Sequence, residues 1–129
     1  SSTEKIFADT KKISNLEKKV QQIISSQINA FQNFDTNKAY SFASPFIKSK
    51  FSNAEKFGSM VKSAYPMIWE PKEFKFLEFT LFNESLIQRV LFIDKTERIF
   101  MFDYEIKNYG KDRWLINGVY QVKKSSSGA

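Results

Sequence analysis

The chain has 129 residues, a net charge of +6, and neither histidine nor cysteine. Those two zeros exclude zinc fingers, blue-copper and iron–sulfur sites, His-ligated haem, disulfides, thiol nucleophiles and Ser-His-Asp catalysis. Acid–base chemistry is left to Asp, Glu, Lys, Tyr and the termini, while aromatics supply 16% of the chain.

One domain fits this length. Area scaling buries roughly two thirds of the unfolded surface, enough for a core without metals or disulfides. No apolar run reaches the ~18 residues of a membrane span. Between residues 38 and 62, Lys38, Lys48, Lys50, Lys56 and Lys62 face one acid, Glu55. Such a stripe suits an anionic lipid or polymer, and its simpler reading is a solvated face. Only three Arg occur, which disfavours nucleic acid as a partner. A start at Ser1 fits an exported or periplasmic protein whose signal has been removed; otherwise the compartment is the cytoplasm.

In chain order, residues 1–13 read as a flexible N-terminal segment. Ser14-x-x-Glu17 has the form of a capping box. Leu16, Val20, Ile23, Ile24, Ile28 and Phe31 follow at spacings of three and four, predicting an amphipathic helix that ends near Phe34. Asp35 caps a second helix, and Ser44-Pro45 starts a third, with Ser at the cap and Pro at the first helical position. Ser52-x-x-Glu55 repeats the capping-box form, and Pro66 stops the next helix at Tyr65.

After Pro71 the period changes to two. Phe74–Phe82, Leu86–Ile93, Ile99–Lys107 and Trp114–Lys123 read as strands joined by short polar connectors. The prediction is α+β: N-terminal helices packed on a four-stranded antiparallel meander. One domain covers 14–124, and 125–129 reads as a flexible tail. Strict alternation puts Trp114, Ile116, Gly118, Tyr120 and Val122 on one face of the last strand. Neither face of the sheet is free of apolar residues, which predicts a covered outer face, most simply a homodimer surface.

Gln27-x-x-Ala30-Phe31-x-x-x-Asp35, Ala39-Tyr40-x-Phe42-Ala43-Ser44-Pro45 and Trp114-x-Ile116-x-Gly118-Val119-Tyr120 together resemble a bacterial family, domain of unknown function 4864. That family resembles members of the nuclear-transport-factor-2-like, cystatin-like α+β superfamily. The resemblance implies a cone, with helices wrapping a curved sheet around a pocket, and dimers formed through the sheet's outer face. Where relatives tend to carry a glycine after Asp94, this chain has Thr96-Glu97, which implies an altered hairpin. The resemblance supplies no catalytic residues.

The candidate pocket residues are Gln27, Tyr40, Tyr65, Trp69, Arg89, Tyr104 and Trp114. A cone lined by these aromatics, with Gln27 and Arg89 as polar fixtures, suits a small, partly apolar ligand. The plainer readings are also present: tyrosines and Gln27 bonded to backbone, and Arg89 paired with Asp103 or Glu105 on a neighbouring strand. An enzymatic alternative needs a carboxylate in the cone, with Asp103 beside Tyr40 or Tyr65 the one open arrangement. The sequence thus predicts a non-catalytic ligand- or partner-binding module that dimerises as described, with no cofactor and no metal.

Overall fold

The computed structural model describes residues 1–123; the tail read at 125–129 lies outside the described residues. Among the described residues five helices precede four strands: α1 (Ser2–Gln32), α2 (Thr36–Ser41), α3 (Pro45–Lys48), α4 (Ala54–Ala64), α5 (Pro66–Trp69), β1 (Glu73–Phe82), β2 (Ser85–Ile93), β3 (Ile99–Asn108) and β4 (Trp114–Gln121). The strands form one antiparallel sheet in the order β1-β2-β3-β4, and the sheet is not closed. This is the predicted α+β meander.

The helix boundaries follow local chemistry, with two corrections. Ser14 does not open α1, which starts at Ser2. Residues 2–13 contain no Gly or Pro, so nothing interrupts the helical hydrogen bonds before Ser14. This leading stretch is exposed, including Ile6 and Phe7. Asn53, not Ser52, caps α4, its side chain accepting from the Lys56 N–H at 2.9 Å. Asp35 caps α2 through the Lys38 N–H, and Ser44 caps α3 through the Ile47 N–H, as predicted.

Val20, Ile24, Ile28 and Phe31 bring α1 down on the sheet's inner face, where they meet Val90, Phe92, Phe102 and Ile106. Burial of this order drives the fold, at about 1.5–3 kcal/mol per large side chain. Aromatic contacts tie the layers, with Tyr65 edge-on to Phe102 and Phe102 edge-on to Phe92.

Both outer strands carry a bulge, and each bulge reverses the alternation. In β1 the register shifts between Phe76 and Phe79, so Phe74, Phe76 and Phe79 all pair with inner-face residues of β2. In β4 the shift falls at Asn117, since Ile116 pairs with Ile106 and Gly118 pairs with Glu105. Strict alternation therefore fails on β4. Trp114, Ile116 and Val119 share the inner face, while Gly118 and Tyr120 turn outward. Beyond β4, Ala43 makes a parallel bridge to Ile116, so the chain before α3 covers part of this edge.

Candidate functional site

A cavity of about 250 Å³ lies between the helices and the β3–β4 half of the sheet. Phe31, Phe51, Phe57, Met60, Val61 and Ile68 give it an apolar wall. Tyr104 enters from β3 and is completely buried. Its hydroxyl has no hydrogen-bond partner among the described residues. Burial pushes its phenol well above the usual tyrosine value, so the group is a neutral donor and acceptor at any physiological pH. Gln27, also in the wall, donates from Nε2 to the Ala39 carbonyl at 3.1 Å. Phe46 of α3, Lys50 just beyond it and Tyr120 of β4 are exposed and form its rim.

Of the seven predicted pocket residues, the structure brings Gln27, Tyr65 and Tyr104 to this cavity. The other four lie elsewhere in the structure. Tyr40 gives its hydroxyl to the Lys48 carbonyl at 3.3 Å and packs its ring on Phe57. Trp69 stacks on Phe31 and Phe34 at a separate surface groove. Trp114 stands at the far end of β4, beside Leu16 and Lys19 of α1. Arg89 is on the outer face, where its Nε and Nη2 meet the two Asp103 oxygens at 2.9 and 3.1 Å. A β2 residue of odd number faces away from α1, and Asp103 is its direct cross-strand partner. Asp103 therefore cannot reach Tyr40 or Tyr65 inside the fold, and no Asp or Glu lines the cavity among the described residues. The carboxylate–tyrosine arrangement is not assembled there.

Two buried amides escaped the sequence reading, and each sits at a bulge. Gln88 is fully buried on the inner face. Its Nε2 donates to the carbonyls of Leu77 and Arg89 at 3.1 and 2.8 Å, and its Oε1 accepts from Gln21. Asn117 accepts from Ser44 and Tyr109 and donates to Glu105, which in turn accepts from Ser85. A polar residue inside an apolar period, Gln88 between Leu86 and Val90, was the available signal. The half-buried outer face carries Ile87, Leu91, Ile93 and Met101 around the Arg89–Asp103 pair.

An α+β meander carrying one apolar cavity beneath its helices is the class that fold and site define. The chain belongs to the family described as domain of unknown function (DUF4864), whose profile matches residues 14–129. No curated protein and no solved structure matches it. Among the described residues, no helix is long and apolar enough to cross a membrane.

Proposed function

We propose that this protein is a non-catalytic binding module for a small, largely apolar molecule. The observation that carries the reading is the cavity itself, about 250 Å³ walled by Phe31, Phe51, Phe57, Met60, Val61 and Ile68 with no acid in its lining among the described residues. An apolar cavity of 150 Å³ holds benzene, so the volume here suits on the order of ten non-hydrogen atoms.

The helix-then-meander order and the cavity beneath the helices support placing the family among nuclear-transport-factor-2-like domains. The apolar residues of the outer face support a homodimer formed through it.

Native mass spectrometry of protein purified without denaturation tests the reading. The expected result is one small molecule per chain, absent from Val61→Phe, which fills the cavity. The same spectra report the dimer. Protein that carries no small molecule, and whose Met60 methyl signal is unmoved by a panel of small apolar alcohols and ketones, would overturn the ligand reading.

A further inference from the structure

We infer that the ligand is a monoanionic amphiphile, seated with its apolar body in the cavity and its anionic headgroup at the rim beside Lys50. This rests on the cavity being a ligand site, as proposed above. Among the described residues that line the cavity, Lys50 is the single charged side chain. It makes no ion pair with any described acid. Its ammonium stands 4.5 Å from the centroid of the Phe46 ring, another lining residue, which holds the charge against that ring.

The distribution of polarity sets the orientation. An ionised headgroup driven inside would lose its hydration against an apolar wall that offers no countercharge. At the rim the same headgroup keeps water and gains the Lys50 charge. The wall itself offers aromatic and aliphatic carbon, so the body of the ligand must be apolar. A cationic headgroup would meet Lys50 with no carboxylate in the lining to oppose it. The net charge of +6 adds a general attraction for anions, so the preference has to depend on Lys50 in particular.

The three methionines provide the readout, because Met60 lines the cavity while Met67 and Met101 do not. Methyl-labelled protein is titrated at low ionic strength with octanoate, octan-1-ol and octylammonium, which share a chain length and differ in headgroup. The expected result is perturbation of the Met60 methyl in the order octanoate, octanol, octylammonium. An exposed ion pair contributes up to about five-fold in affinity. Lys50→Met should remove that advantage and bring octanoate level with octanol. Lys48→Met, which removes a charge 5.1 Å from the Tyr40 ring and outside the cavity lining, should leave the order intact. Equal binding of octanoate and octanol to the wild type would overturn the anionic headgroup while leaving the ligand site standing. Loss of the preference in Lys48→Met as well would also overturn it, by assigning the effect to bulk charge. No perturbation of Met60 by any of the three would overturn this inference together with the reading beneath it.

Discussion

The Ser44 hydroxyl donates to the Asn117 side-chain oxygen at 2.9 Å, joining the cap of α3 to the bulge of β4. One serine thus does two jobs, because the same oxygen accepts the Ile47 N–H. The junction fixes the chain segment that covers the β4 edge, and that segment carries the rim residues Phe46 and Lys50 into place.

Asn117→Ala should therefore be a severe change for a single polar residue. It strands Ser44, Tyr109 and Glu105, all of which now bond to that amide. A loss of about 2–3 kcal/mol is expected, since broken buried networks exceed the usual hydrogen-bond value. Urea unfolding measures it; a loss under about 0.5 kcal/mol, the level of an ordinary surface change, would contradict the network's role.

Gly58 lets α4 approach α2. A Cβ there would stand 2.5 Å from the Thr36 methyl carbon. Alanine is the better helix former by ~1 kcal/mol, yet Gly58→Ala should be net destabilising by about 1 kcal/mol because of overpacking. Thr36→Ser removes that methyl, so the double variant should recover the loss. Additive effects in the double-mutant cycle would show that the two positions do not touch.

Tyr104→Phe removes a hydroxyl that has no partner. The ligand-free domain should gain about 1 kcal/mol, since an unsatisfied buried group is relieved. The variant should also resist alkali better. The folded phenol is raised above the unfolded value of 10.0, so above that pH the unfolded chain loses a proton that the folded chain keeps. Stability then falls as pH rises, and this component is missing in the phenylalanine variant. Thermal melts of both proteins at pH 8 and above pH 10 should converge at neither pH, with the gap widening in alkali.

The β2–β3 hairpin should show the opposite pH response. Burial pushes the Asp94 carboxyl up, but the Arg98 and Thr96 N–H groups, the Thr96 hydroxyl and the Arg98 guanidinium together outweigh it and hold the value at about 2. The folded carboxyl is below its ordinary 3.8, so its contribution is complete above that pH and is lost as pH falls toward 2. Asp94→Asn should flatten that part of the acid titration of stability. Next to it, Glu97 holds a left-handed φ of 67°, a conformation glycine adopts freely. Glu97→Gly should be stabilising or neutral despite losing the exposed Lys72 pair, and a drop beyond about 1 kcal/mol in chemical denaturation would refute this.

Length, the missing histidine and cysteine, and the change of period after Pro71 determined the class of fold and removed metal–thiolate and histidine chemistry. The caps at Asp35 and Ser44 were legible because an N-cap needs only its own next turn. Tertiary structure decided what local pattern cannot express. The bulge at Asn117 is a matter of pairing with β3, and it reverses every side chain beyond it, sending Tyr120 outward and Val119 in. The partner of Arg89, Asp103, is likewise set by register across the sheet. The cavity too is decided by packing: Tyr104 is one aromatic among many in the sequence, and only its place under α1 and α4 leaves its hydroxyl alone against apolar carbon.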